Sequence, residues 1–170
     1  EHRLRDALTP IRDAYRFILL DCPPSLSLLP INALVASDAF LVPVTPQYLA
    51  VEGLVNLMDA VARLQASMDT PAPLLGLVLT LVDYRARATR ELVAMLRTQY
   101  GARVFTTEIR VNVRLSEAPS FGQPIFAYAA TSAGAEAYRR LVAELVARCQ
   151  KAGTLAGRKP GKKAKNDAKD

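Results

Sequence analysis

Three stretches of the chain are apolar along both faces. They span residues 17–20, 39–44 and 74–82. Continuous apolar runs of this length are typical of strands covered on both faces, as in the middle of a parallel sheet. Two prolines follow Cys22 and end the first run, since proline interrupts a strand. We therefore predict three central strands, with a short fourth strand at residues 104–105.

Elsewhere apolar positions recur at the spacing of an amphipathic helix. The segments with this spacing are residues 4–14, 49–68, 88–100 and 132–149. A further short helix is predicted at residues 28–36, after Ser25 and Ser27. Residues 107–131 contain Pro119, Gly122 and Pro124 and follow neither period, so we predict an irregular stretch there. Because strands and helices alternate along residues 1–150, the pattern predicts an α/β domain with a mainly parallel sheet.

The charge is distributed unevenly along the 170 residues. The net charge is +6, but residues 1–150 contain 15 Arg and no Lys against 14 acidic residues, which leaves +1. Residues 151–170 contain six Lys and Arg158 against two Asp, together with glycines and almost no large apolar side chain. A segment of this composition cannot bury enough surface to fold. We predict a disordered, basic tail at residues 151–170.

The composition excludes several classes of protein. With 51% hydrophobic and 22% charged residues, the chain is typical of a globular domain and not of a disordered or collagen-like protein. Cys22, Cys149 and His2 are too few and too far apart for a disulfide framework or a zinc site. No apolar run reaches the ~18 residues of a membrane span. We predict a cytoplasmic protein without a membrane partner.

Asp21 is the first candidate for chemistry, because it follows the predicted strand at residues 17–20. Ligands of open parallel sheets bind outside the carboxyl ends of the strands. A carboxylate at such an end can order a metal-bound water, as in phosphate-transferring ATPases. The alternative is an aspartate that only caps the following turn.

Further motifs occur in a fixed order along the chain. They are DCPPSL at 21–26, INAL at 31–34, EGL at 52–54, LTLVDYR at 79–85, NVRLSEAPSFGQPI at 112–125 and GAEAY at 134–138. In this order the motifs closely resemble those of the ParA/Soj family of DNA-partitioning ATPases, over about residues 4–149. The resemblance implies a three-layer α/β/α sandwich of the P-loop NTPase type, with ATP and Mg²⁺ as cofactors.

The resemblance also implies roles for individual residues. Asp21 matches the Walker B aspartate, which lies near the magnesium ion of bound ATP and is the catalytic candidate. Pro23, Pro24 and Ser25 match the family's switch segment, which responds to the γ-phosphate of ATP. Five further residues match positions that, in the family, line the base side of the nucleotide or the ATP-dependent dimer face. They are Thr80, Asp83, Arg110, Asn112 and Glu117. At Arg110 similar proteins often have proline. The alternatives are that the prolines simply end a strand and that Thr80 is a core hydroxyl.

Family members of this kind bind DNA without sequence specificity as ATP-bound homodimers, are stimulated by a ParB-like partner and associate with the nucleoid. The basic candidates for DNA contact are Arg85, Arg87, Arg90, Arg110 and Arg114, with the lysine tail in addition. Arg85 and Arg114 are favoured, because they lie within the matched motifs. The alternative for each arginine is a solvated surface charge. A membrane-cycling, MinD-like ATPase would need bulky apolar residues in an amphipathic tail helix, and residues 151–170 offer only Leu155. A degenerate interaction module without a nucleotide site is the third possibility.

One part of the family pattern is missing from the sequence. Binding of nucleotide phosphates needs a Gly-rich loop before a helix, with a Lys and a Ser or Thr, and residues 1–150 contain no Lys. The chain therefore looks like the carboxyl-terminal portion of a ParA/Soj-like ATPase, without the opening β-loop-α unit. Alone, we predict that it neither binds ATP tightly nor hydrolyses it. Loss of that unit predicts an exposed sheet edge, apolar surface and self-association.

Overall fold

Three parallel strands form the sheet, in the order β1-β2-β3. The computed structural model describes residues 2–23, 27–67 and 72–153 of the chain. The strands are β1 (Phe40–Val44), β2 (Leu74–Val82) and β3 (Ile109–Arg110). In the register, Val44 lies beside Leu79, and Thr80 beside Ile109. Since parallel neighbours need crossover connections, a helix follows both β1 and β2.

The helices lie between and after the strands. They are α1 (Arg3–Leu8), α2 (Leu28–Ala36), α3 (Tyr48–Ser67), α4 (Arg87–Tyr100), α5 (Val113–Glu117), α6 (Ile125–Tyr128) and α7 (Ala133–Lys151). Short 3₁₀ helices occur at Thr9–Ala14, Gly101–Arg103 and Ala118–Phe121. Helix α7 begins with a side-chain cap, because the Ser132 hydroxyl accepts a hydrogen bond from the N–H of Ala135 at 3.1 Å.

Successive residues of β2 pack on opposite faces of the sheet, as the period of a strand requires. On one face Leu77 and Leu79 pack against α3 and α4, through side chains such as Leu54 and Leu96. On the other face Val78 packs with Phe105, Ile109, Ala137 and the half-buried Leu141 and Leu145 of α7. The arrangement is helix, sheet, helix. It confirms the predicted α/β class with a parallel sheet.

The sequence pattern predicted most elements. The strands predicted at residues 39–44 and 74–82 and the helices predicted at 28–36, 49–68, 88–100 and 132–149 are present, each within two residues of the prediction at either end. Residues 104–105 contribute a single parallel bridge, between Val104 and Leu77. Helix α7 extends one residue into the predicted tail, and residues 154–170 lie outside the described part.

Two sequence predictions were wrong. Residues 17–20 form no strand, because a strand exists only when a neighbour pairs with it, and within the described residues β1 is paired on one side alone, with β2. The stretch at 107–131 is not irregular throughout, since it contains β3, α5 and α6. The two residues of β3 are too few to produce a period.

Strand β2 changes direction at its carboxyl end. Its register with β3 shifts between Thr80 and Val82. The extra residue, Leu81, has φ of 51° and is 58% exposed. A positive φ is uncommon for any residue other than glycine. The bulge thus turns the end of the central strand immediately before Asp83.

Arg148 of α7 connects the helix to the segment between α4 and β3 through hydrogen bonds and a contact with an aromatic ring. Its guanidinium donates to the carbonyl oxygens of Ala102 at 2.9 Å and Val104 at 3.0 Å. It also lies 3.9 Å from the centroid of the Phe105 ring. Glu144, one turn earlier, pairs with Arg148 at 2.9 Å and accepts the N–H groups of Thr106 and Thr107. The pair therefore satisfies backbone groups on both sides of Phe105.

Candidate functional site

An apolar groove of about 790 Å³ runs along the side of β1 away from β2, where no strand of residues 2–23, 27–67 or 72–153 pairs with it. Its walls include residues 17–23 on one side and residues 39–45 on the other, with parts of α3 and α7. Asp21 and Pro23, two of the predicted site residues, line this groove together with Thr45, which follows β1. The predicted residues Pro24 and Ser25 lie outside the described part of the chain.

The Asp21 carboxylate is exposed. Mg²⁺ is usually held by one or two carboxylates together with waters and substrate phosphates. Asp21 fits that role as a single exposed carboxylate among the residues that line the groove. Within the described residues no three His, Cys, Asp or Glu side chains cluster as a metal site. Residues 1–150 cannot supply a phosphate-binding loop of this kind, because such a loop needs a Lys and these residues contain none.

A second, open pocket of about 610 Å³ lies at the carboxyl end of β2. Asp83 and Arg85, both predicted site residues, form a bidentate pair there, with Nε to Oδ1 at 2.8 Å and Nη2 to Oδ2 at 2.6 Å. The hydrogen bonds from Arg85 lower the pKa of Asp83 to about 2. Arg110 of β3 lines the same pocket, opposite this pair.

Tyr84 connects the loop after β2 with the loop before β3. Its hydroxyl donates to both carboxylate oxygens of Glu108, at 2.9 and 2.8 Å. Glu108 also pairs with Arg97 of α4 at 2.6 Å and is largely buried. Partial burial and the bond to Glu108 raise the pKa of Tyr84. The Arg110 guanidinium lies over the Tyr84 ring, 5.1 Å from its centroid.

The remaining predicted residues have local partners. Asn112 caps α5, since its Oδ1 accepts from the N–H of Leu115 at 3.3 Å. Glu117 pairs with Arg114 at 3.0 Å and accepts the Tyr128 hydroxyl at 2.9 Å. Arg87 pairs with Glu91 at 2.7 Å, and Thr80 is half-buried in β2. Each therefore has a structural role that does not depend on a ligand.

Several of the predicted residues line two separate openings, Asp21 and Pro23 in the groove and Asp83, Arg85 and Arg110 in the pocket. Since β1 and β2 are parallel, Thr45 after β1 and Asp83 after β2 lie at the same edge. The pocket with Asp83 and Arg110 lies at the end of β2, whereas the groove lined by Asp21 extends along β1. Sequence reasoning missed Tyr84 and Glu108 as parts of this site. Their partnership spans 24 residues, and no local pattern indicates it.

None of the described helices is long and apolar enough to span a bilayer.

Comparison with known proteins identifies relatives over most of the chain. A family model described as an AAA domain matches residues 1–72. The chromosome-partitioning ATPase Soj of Treponema pallidum is 43% identical over 145 residues, which cover 85% of this chain and 57% of the relative. The Soj protein of Thermus thermophilus is 45% identical over 149 residues, covering 88% and 59%.

The chromosome partitioning protein ParA of Caulobacter vibrioides is 41% identical over 149 residues, covering 86% of this chain and 56% of the relative. The chain thus spans a little over half the length of the curated relatives that it matches. Over that span the identity to these three relatives is 41–45%. The chain belongs to the ParA/Soj family of partitioning ATPases.

Proposed function

We propose that this chain is the carboxyl-terminal portion of an ATPase that partitions chromosomal or plasmid DNA. In the complete protein, ATP and Mg²⁺ bind at the carboxyl edge of the sheet, two copies dimerise around the nucleotides, and the dimer binds DNA on the nucleoid. A ParB-like protein stimulates hydrolysis. The names of the relatives support this proposal, as does the order of the motifs along the sequence.

The observation that carries the proposal is the groove beside β1. It is lined mainly by apolar residues, it runs along the side of β1 on which no strand of the described residues pairs, and Asp21 is one of its lining residues. We propose that the β-loop-α unit absent from residues 1–170 packs here and carries the phosphate loop to Asp21.

In this arrangement each residue of the chain has a limited task. Asp21 orders the water shell of the magnesium ion, and the ion neutralises charge on the phosphates when bound. Pro23, Pro24 and Ser25 belong to the segment that responds to the presence or absence of the γ-phosphate. Asp83, Asn112 and Glu117, with Thr80, shape the base side or the dimer face.

For DNA, Arg85, Arg87 and Arg114 supply positive charge on the outer face. Such contacts go to the phosphate backbone and carry no sequence information. Binding is therefore expected to weaken steeply with salt. The lysines of residues 151–170 add charge that attracts the same polyanion.

The proposal is tested by reading the coding sequence upstream of Glu1 and expressing the chain with and without the residues it encodes. We expect Mg²⁺-dependent ATP hydrolysis by the longer protein and none by residues 1–170. In the longer protein, Asp21→Asn is expected to remove turnover, while Asp59→Asn, a change of the same charge on an exposed residue of α3 outside the groove, leaves it intact. Turnover by residues 1–170 alone, or full activity of Asp21→Asn, would contradict the proposal.

A further inference from the structure

Glu108 is a nearly buried carboxylate in contact with one wall of the open pocket at the carboxyl end of β2. Its side chain is 11% exposed and pairs with Arg97 of α4 at 2.6 Å. Its two oxygens accept the Tyr84 hydroxyl at 2.9 and 2.8 Å. Tyr84 lines the pocket, and Glu108 is not among the lining residues. Because a buried charge is costly unless it is paired and hydrogen-bonded, this cluster holds the Tyr84 hydroxyl in one place.

The ring of Tyr84 is held as well as its hydroxyl. It packs against the core of buried residues between the sheet and the helices α3 and α4. The Arg110 guanidinium lies over the ring, 5.1 Å from its centroid, which is within the range of a cation–π contact. A group that is already oriented loses less conformational entropy when a ligand binds. The ring and the guanidinium therefore form a preorganised wall of the pocket.

The composition of the pocket suits a flat aromatic ligand. Its other lining residues include three valines, Val82, Val111 and Val113, of which the last two are more than half exposed. Nucleobases stack on aromatic rings and on the planes of guanidinium groups. The pocket volume of about 610 Å³ lies within the usual range of small-molecule sites, about 300–1,000 Å³. The stacked pair and the valines together offer the base of a nucleotide a planar, apolar surface.

We propose that Glu108, paired with Arg97, is a positioning residue for nucleotide binding. It acts through Tyr84, whose stack with Arg110 is the wall against which the base of the nucleotide lies. This inference rests on the proposed nucleotide-binding function and adds Tyr84, Arg97 and Glu108 to it. The base is at the opposite end of ATP from the γ-phosphate. The cluster therefore acts on the affinity for ATP and leaves the chemical step unchanged, which raises KM without lowering kcat when the cluster is broken.

The test measures steady-state ATP hydrolysis by the longer protein, which includes the residues encoded upstream of Glu1. Glu108→Ala removes the acceptor of the Tyr84 hydroxyl, so KM for ATP is expected to rise about 3–10-fold at unchanged kcat. Tyr84→Phe keeps the ring and removes the hydroxyl alone. It is expected to raise KM by a similar factor, and it decides the question if Glu108→Ala does not fold. Glu108→Gln keeps an acceptor oxygen and is expected to stay within about twofold of the unchanged KM.

Two further measurements distinguish positioning of the base from a purely structural role. Adding Glu108→Ala to Tyr84→Phe is expected to raise KM no further, because both changes break the same hydrogen bond. Inorganic tripolyphosphate competes with ATP but has no base. Its Ki is therefore expected to be the same in every variant.

Glu91→Ala is the matched control. It removes another carboxylate that pairs with an arginine of α4, Arg87, at 2.7 Å, and Glu91 does not line the pocket. We expect its KM to equal that of the unchanged protein. Three results would overturn this inference alone: an unaltered KM in Tyr84→Phe, a rise in the Ki of tripolyphosphate equal to the rise in KM, or an equal rise in KM for Glu91→Ala. Absence of ATP hydrolysis by the unchanged longer protein would overturn the proposed function and the inference with it.

Discussion

Arg148 stabilises the fold through backbone groups more than through its charge. It donates to carbonyl oxygens of Ala102 and Val104, which lie in the connection between α4 and β3. Arg148→Met keeps the apolar stem and leaves these acceptors without the donor, at a cost of about 2 kcal/mol in the free energy of unfolding. Urea denaturation measures it. Arg140→Met on the exposed side of α7 is the control, with an expected change within about 0.5 kcal/mol.

The Glu144 carboxylate makes the same connection sensitive to acid. Burial alone would raise its pKa, but the N–H groups of Thr107 and Thr106 and the Arg148 guanidinium outweigh burial and lower the pKa below its ordinary value of 4.5. A carboxyl group whose pKa is lowered in the folded state contributes stability above its unfolded pKa. That contribution is lost as the pH falls through the folded pKa.

We therefore expect Glu144→Gln to be less stable than the unchanged chain at pH 7 and to lose less stability on acidification below pH 4.5. Thermal melts at a series of pH values measure both effects. Parallel pH curves for the two proteins would contradict the assignment. Glu136→Gln, on the exposed surface of α7, is the control, and its curve is expected to follow that of the unchanged chain.

The Asp83–Arg85 pair is a charge interaction at the surface and is best detected by titration. We expect the Asp83 carboxyl to titrate with a pKa of about 2, by NMR of its carboxyl carbon. In Arg85→Gln the hydrogen bonds are lost, and the pKa is expected to return towards 3.8. Arg87→Gln removes an equal charge without touching Asp83 and is expected to leave this pKa unchanged. A pKa near 3.8 in the unchanged chain would contradict the pairing.

At the scale of elements, two glycines allow the effect of close packing on stability to be compared with the effect of helix propensity. A Cβ on Gly76 in β2 would lie 2.5 Å from the carbonyl oxygen of Arg103 and 2.7 Å from the Phe105 ring. Gly76→Ala is thus expected to cost about 1–3 kcal/mol of unfolding free energy. Gly53→Ala in α3 meets nothing within 4 Å. It is expected to stabilise the chain by about 0.5–1 kcal/mol, because alanine favours the helix. Chemical denaturation compares the two, and equal effects would contradict the packing argument.

The helices were predictable because their pattern is local. Apolar spacing predicted α3 to within one residue of its observed bounds, since a helix makes its hydrogen bonds within its own segment. Strands depend on partners elsewhere in the chain. Residues 17–20 have the composition of a strand but no neighbour beside them, whereas β3 becomes a strand through its pairing with β2 in spite of its two-residue length.

The parts of the candidate site that depend on single residues within local motifs were predictable from the sequence. Asp21 and Asp83 follow apolar runs, and the motifs around them led to the family. The pairing of Arg87 with Glu91 has the i,i+4 spacing that a helix brings together. The contact between Tyr84 and Glu108 crosses two loops, so its discovery required the folded chain.

At the scale of the whole molecule, the groove beside β1 leaves apolar surface in contact with water. We expect residues 1–170 to self-associate, with a weight-average mass that rises with concentration in sedimentation equilibrium. Leu41→Lys adds an inward charge at the edge strand, so it is expected to reduce association. Leu49→Lys, exposed on α3 and outside the groove, is the control. A monodisperse monomer at all concentrations would contradict this expectation.

The position of Arg148 also has a consequence for the order of folding. The carbonyl oxygens that it binds lie 44 and 46 residues earlier in the chain, and its guanidinium comes within 3.5 Å of the Leu75 carbonyl oxygen, 73 residues earlier. Contacts of such high sequence separation form slowly, because a long loop has to close first. During synthesis on the ribosome, the connection around Phe105 therefore waits for α7 to emerge. Until then, β2 is exposed on the face that α7 later covers, and a chaperone that holds extended apolar segments would find its target there.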